Sequence, residues 1–387
     1  MSEKDLELKL NIMKYLWRIG YNVYKNVELT SYINFEKRTF TDIDVLGIKF
    51  NSDLTYSVVI CDCKSGKVKT AERLFWLSGV MKLFNSSYGL FIRPEMLASN
   101  YIDLSNKLNI VPLTNNQMDE FFKSYNIEKS VFFGPFCTEQ KNIEQIFMKA
   151  KKEAPNYINY ILIDYWKDTS QKQILNLISL YNKLIKNQNI QNFDFISSYI
   201  YTLMSISVLK FSNTFLIIPE KEREYKTKEY LLGGEVSLKD REIILENFYN
   251  FMTNEIQGRY GQKYPISKSD FVSGLTPIYS KYLADLVSRI CLNPEQSVLL
   301  PRFFSLTTYD SILNNKNINV QNLTMGLPVK ELSFKPIKDF ITFLERSNII
   351  KIELSQRYKT IITELEKEKT SDLPAYFTIN KGNNVRV

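Results

Sequence analysis

The chain has 387 residues, of which 44% are hydrophobic and 13% aromatic, so global disorder is excluded and there is apolar material for two domains or one with a large extension. The formal charge of +8 and a pI near 9.0 fit a polyanionic partner, although a composition rich in Lys, Asn and Ile produces the same excess without one. There is no histidine, and Cys61, Cys63, Cys137 and Cys291 form no CxxC pair, which argues against zinc and removes every mechanism needing a histidine base.

The start, Met1 to Leu10, is charged and lacks the apolar run of a secretion signal. No uncharged apolar run reaches 18 residues, so no membrane span is expected and the expected compartment is the cytoplasm, with reduced thiols. Residues 4–19 read as an amphipathic helix with Leu6, Leu10, Met13, Leu16 and Trp17 on its apolar face, stopped by Gly20. Strands are predicted over 22–29, 39–50 and 56–64, the last two joined by the turn signal Asn51-Ser52-Asp53. A helix over 68–84, a strand over 88–92, a helix over 94–108, a strand over 110–113 and a helix over 115–125 follow. This order predicts an α/β unit with a mixed sheet flanked by helices.

Beyond about residue 128 the pattern becomes mainly helical, which gives two domains, 1–127 and 128–387. The charged stretch 220–238, which contains Gly233-Gly234, is a possible split within the second. Near the C-terminus a helix over 336–347, a short strand over 349–352 and a helix over 356–369 read either as part of a winged helix or as packed helices with an extended link. The last dozen residues read as a frayed tail.

The chemistry lies in the second and third strands. Side chains alternate faces along a strand, so Asp42 and Asp44 share one face, and Asp62 and Lys64 share another. A hairpin between these strands brings Asp44, Asp62 and Lys64 together. Charged side chains in a sheet need a partner or a metal, and this set reads either as a buried ion pair or as a hard-cation site. In the second reading Asp44 and Asp62 supply oxygen ligands, the Cys63 backbone carbonyl could add one, and Lys64 positions or helps to deprotonate the attacking water or stabilises charge on the phosphorus. Cys61 and Cys63 need only fill the apolar face opposite.

This arrangement, Asp44 on one strand and Asp62-Cys63-Lys64 on the next, with a helix before the sheet and Ser65-Gly66 leading into another, resembles the PD-(D/E)xK nuclease superfamily, the restriction-endonuclease-like fold. The likeness is to its Mrr-type and Holliday-resolvase-like branches and spans roughly residues 4–125. Ile43 stands where the name-giving Pro would be. The resemblance implies that Asp44 binds metal, that Asp62 and Lys64 form the D-x-K pair, and that Mg²⁺ or Mn²⁺ is the cofactor. It also implies an acidic residue from the first helix, for which Glu7 is the best-placed candidate and Glu28 on the first strand the runner-up.

Lys67, Lys69 and Arg73 open the next helix and are candidate phosphate contacts, or an ordinary solvated helix start. Phe75 and Trp76 in that helix read as core residues rather than as a base-stacking platform. Residues 1–127 carry 16 basic and 14 acidic side chains, so most of the basic excess lies in the helical region.

The expected activity is metal-dependent endonucleolytic hydrolysis of DNA, in the manner of a restriction or anti-phage defence effector. The alternatives are a catalytically silent nucleic-acid-binding or scaffold protein, or a nuclease of the same fold acting on RNA or branched DNA. The helical region is a possible surface for a homodimer or a partner protein.

Overall fold

A computed structural model of the chain describes residues 3–33, 36–66, 68–125, 133–187, 190–274, 277, 279–313, 320–329 and 332–371. The N-terminal part is a five-stranded mixed sheet with flanking helices. Its order is α1 (Glu3–Arg18), β1 (Asn22–Ile33), β2 (Glu36–Phe50), β3 (Tyr56–Cys63), α2 (Thr70–Leu83), β4 (Tyr88–Arg93), α3 (Ser99–Lys107), β5 (Ile110–Thr114) and α4 (Asn115–Ser124). The strands lie in sequence order, β1-β2-β3-β4-β5. β1, β2 and β3 form an antiparallel meander, and β4 and β5 add in parallel through the crossover helices α2 and α3.

The sequence explains the hairpin closely. The Asp53 carboxylate accepts from the Thr55 amide at 3.0 Å and from its hydroxyl at 2.6 Å, which fixes the turn. Leu54 adopts a left-handed backbone, φ 62°, and is fully buried. An apolar anchor thereby closes a turn that would otherwise be all polar. The resulting register pairs Phe50 with Tyr56 and runs to Val45 opposite Cys61. Gly20 ends α1 at φ 101°, as the sequence requires. Gly89 on β4 has another purpose, because a Cβ there would stand 2.7 Å from the Met81 sulfur and 3.2 Å from Leu77. α2 can therefore sit directly on the sheet.

After residue 133 the described chain is mostly helical: α5 (Gln140–Glu153), α6 (Pro155–Leu162), α7 (Ser170–Lys186), α8 (Phe193–Asn213), α9 (Glu220–Leu231), α10 (Glu235–Tyr260), α11 (Lys268–Gly274), α12 (Tyr279–Leu292), α13 (Pro294–Ser297), α14 (Leu300–Thr307), α15 (Val320–Gly326), α16 (Lys335–Arg346) and α17 (Ile352–Ser371). The charged stretch at 220–238 is helical with one break. It forms α9 and the start of α10, with Gly233 and Gly234 making the turn at positive φ. Helical i,i+3 and i,i+4 pairs, Lys226 with Glu229 and Lys228 with Glu224, absorb its charge. Residues 349–352 form no strand, and Ile349 is buried in a short link between α16 and α17, so the winged-helix reading is set aside. α8 is long and apolar enough to cross a membrane, but 94% of its apolar window is buried inside the protein, where it is the central core helix.

One continuous apolar cluster runs from α1 through the sheet into the helical region. Trp17 stands at the junction. Its indole N–H donates to the Gly326 carbonyl at 3.1 Å, its ring meets Phe136 edge to face at 5.6 Å, and the Arg302 guanidinium lies over it at 4.3 Å. Lys25 on β1 pairs with Glu144 on α5 at 2.8 Å, and Lys167 reaches the Thr30 backbone carbonyl and hydroxyl. Truncating Trp17→Ala removes a buried aromatic and its hydrogen bond together. The expected loss is about 3–5 kcal/mol of unfolding free energy, read as a lower urea midpoint; an unchanged midpoint would show that the two regions are not energetically joined there.

Candidate active site

The site forms where β2 and β3 part. Their ladder ends at Val45 and Cys61, and Asp44 and Asp62 stand just beyond it. Their carboxylates are almost completely buried, Asp44 at 5% and Asp62 at 1% exposed. Asp44 uses the parting strands: its Oδ2 accepts from the Cys63 amide at 2.8 Å, a bond a ladder partner would otherwise supply. The Lys64 ammonium bridges the two acids, 3.1 Å from Asp44 Oδ2 and 3.0 Å from Asp62 Oδ1. The alternation of β3 and the hairpin register thus bring Asp44, Asp62 and Lys64 together as the sequence predicts. The contact Cys63 makes to Asp44 is through its amide N–H, a role distinct from the metal ligand expected of its carbonyl.

Two further cations complete the cluster. Arg73, from α2, grips Asp62 with two bonds, Nη2 to Oδ1 at 2.5 Å and Nε to Oδ2 at 3.0 Å. Its guanidinium also lies over the Trp76 ring at 4.0 Å. Lys9, from α1, sits 2.7 Å from Asp44 Oδ1 and donates to Asn26 Oδ1 at 2.7 Å. Asn26 is held at φ 53° between two ladder pairs of β1, a left-handed conformation that Asn tolerates better than most residues. Every carboxylate oxygen of the pair therefore receives a donor, and three cations face two acids.

Lys9 is the residue that sequence reasoning missed. It lies one turn before Ile12 and Met13 and two before Leu16, all buried, and is itself only 5% exposed. A lysine set in the apolar stripe of a helix was the available signal. Glu7, the expected first-helix acid, points to solvent, because two residues along a helix turn the side chain by about 200°. It does not join the cluster. Glu28 is half-buried on β1, accepts from Thr39 at 3.4 Å, and lines an open depression of 510 Å³ with Lys9, Asn26 and Asp42. It is nearer the site than Glu7, on the Lys9 side of Asp44.

Of the two described candidate phosphate contacts, Arg73 touches the centre and Lys69 does not. Lys69 is exposed and paired with Glu72 at 2.8 Å, an ordinary helix-start ion pair, and Lys67 lies outside the described residues. Phe75 is exposed rather than in the core, and Trp76 is half-buried beneath Arg73. Cys61 and Cys63 are buried free thiols on the apolar side, and burial together with the neighbouring Asp44 raises both well above the usual thiol value. They are inert thiols, as expected of fillers.

Electrostatics fix the protonation states. Burial pushes the Asp44 carboxyl up, but Lys9, the Cys63 amide and Lys64 outweigh it and hold the group below its ordinary value. Burial likewise pulls Lys64 down, and the two carboxylates outweigh that, leaving it raised. At neutral pH Lys64 is an ammonium. In this arrangement it supplies charge and hydrogen bonds and is not a base.

The donor set can be tested against a hard cation. Two buried carboxylates offer only oxygen, which suits Mg²⁺ or Mn²⁺. Among the described residues no group of three or more Asp, Glu or Cys side chains converges, so a bound ion would complete its shell with backbone oxygen, water or substrate. The fit holds once a cation now on Asp62 moves away. No protein-family model, curated protein or solved structure matches the chain.

The shifts make a pH prediction. Asp44 titrates lower in the folded than in the unfolded protein, so its ionisation stabilises the fold fully above the unfolded value, about 4, and that contribution is lost as pH falls through the folded value. Asp44→Asn leaves Lys9 and Lys64 short of a buried partner and should cost about 3–5 kcal/mol at pH 7. In urea titrations from pH 7 to pH 3 the wild-type midpoint should fall more steeply than that of the variant; parallel curves would count against Asp44 as the stabilising anion.

Proposed function

We propose that the chain is a divalent-metal-dependent nuclease that hydrolyses phosphodiester bonds, with DNA as the favoured substrate and an N-terminal core of the PD-(D/E)xK, restriction-endonuclease-like kind. The observation that carries this reading is the shared ammonium of Lys64, which spans two buried strand carboxylates at a fork in the sheet. A purely structural ion pair needs one acid for one lysine. Here two acids and three cations are held at one point, against the desolvation cost of each.

A bound Mg²⁺ or Mn²⁺ would supply Lewis-acid polarisation of the phosphate. Asp44 and Asp62 would hold it. Lys64, kept protonated by those same acids, places positive charge where negative charge develops on the phosphate oxygens. Lys9 and the Cys63 amide keep Asp44 oriented and ionised. The surplus of positive over negative charge favours an anionic substrate. The four thiols of the described residues are all free, which fits a reducing compartment such as the cytoplasm.

One observation favours a second reading, a binding or scaffold protein without catalysis: each carboxylate oxygen already carries a donor, so the cluster is electrostatically satisfied without a metal.

The two readings separate in a cleavage assay under reducing conditions, with supercoiled plasmid, linear duplex, single-stranded DNA and RNA, each with Mg²⁺ or Mn²⁺. Nuclease function predicts metal-dependent cutting that falls at least about 100-fold in Lys64→Ala and is abolished in Asp62→Ala. Binding of these substrates without cutting, unchanged in Asp62→Ala, supports the scaffold reading.

A further inference from the structure

Arg73 is the one cation of the cluster that holds both oxygens of Asp62. Lys9 contacts only Asp44 among the two acids and is tied to Asn26. Lys64 lies on the same strand as Asp62, two residues away, and bridges both acids. Arg73 alone occupies both oxygens of Asp62, in the parallel two-bond geometry that makes guanidinium–carboxylate pairs strong. A divalent ion must approach a carboxylate oxygen to about 2.1 Å. It cannot do so while a guanidinium holds the same oxygens, and the two like charges repel at that range. Asp62 is only 1% exposed, so there is no free approach around the arginine.

We propose that Arg73 is an internal gate of the site: its guanidinium competes with the divalent cation for Asp62, and the site loads only when Arg73 swings away. This rests on the metal-dependent reading above and deepens it. The arginine is suited to such a role. Its side chain is 25% exposed, so it can reach water without crossing the core. Trp76, half-buried on the same helix three residues on, gives it a stacking surface at 4.0 Å that favours the closed position. Once released it remains tethered on α2 beside Asp62, where its fork matches a phosphate as well as it matches a carboxylate. An anionic substrate would draw Arg73 off Asp62 as the metal enters, so neither ligand would load fully without the other.

The test is Mn²⁺ binding to the full chain, measured by calorimetry and by loss of the free-ion electron paramagnetic resonance signal, with no substrate present. Wild type is compared with Arg73→Gln, Trp76→Leu and Asp62→Asn. The expected result is weak binding by wild type, affinity raised about tenfold or more in Arg73→Gln, a smaller rise in Trp76→Leu, and none in Asp62→Asn. Trp76→Leu keeps the ion pair and carries the test should Arg73→Gln fold poorly. If both gain variants bind Mn²⁺ no more tightly than wild type while Asp62→Asn abolishes binding, the gate is refuted and the metal site stands. If no protein in the set binds Mn²⁺, the metal-dependent reading falls, and the gate with it.

Discussion

Two carboxylates buried at the end of a strand pair impose the strongest single constraint on this protein. Burying an unpaired carboxylate costs more than a domain can spare, so positive groups must be brought to Asp44 and Asp62 from the elements around them. α1 brings Lys9, β3 brings Lys64 and α2 brings Arg73. These ion pairs tie both helices to the sheet in a direction that apolar packing, which is not directional, leaves open. The fork between β2 and β3 is part of the same solution, because it lets the Cys63 amide satisfy Asp44.

The helical region bears on this centre through α1. That helix is buried on nearly all sides, with Leu8, Leu10, Ile12, Met13, Leu16 and Trp17 all inside. Sheet contacts alone would bury one stripe. The rest is covered by α4, through the Tyr15–Phe121 contact, and by the helical region, through Phe136 and Gly326 around Trp17. A helix fixed on several sides holds Lys9 in one place. The polar links from β1, Lys25 to Glu144 and Thr30 to Lys167, fix the strand that carries Asn26. The helical region thus braces the two elements that orient Asp44.

The chemistry available to the site follows from this charge arrangement. With more cations than acids, the resting cluster is closed to cations and attractive to anions. Any hard cation therefore enters by exchange. In the proposed gate Arg73 is the cation that leaves, because among the two acids it holds Asp62 alone, whereas Lys64 bridges both and Lys9 is also tied to Asn26.

The sequence by itself determined the alternation along β2 and β3, the Asn51–Asp53 turn and so the register that puts Asp44, Asp62 and Lys64 on one face, since period-two geometry and turn chemistry are local. The helix and strand order of the first 125 residues was legible for the same reason. Tertiary structure alone decided which other charges join. Lys9 is preferred to Glu7 because α1 turns that side inward, a rotation set by its packing partners. Arg73 is at Asp62 because Gly89 lets α2 sit directly on the sheet. Where α9 in the stretch at 220–238 sits was also decided there, by Leu231 and Tyr230 packing against the core, including Phe215, because a charge-rich segment gives no sign of the surface it will meet.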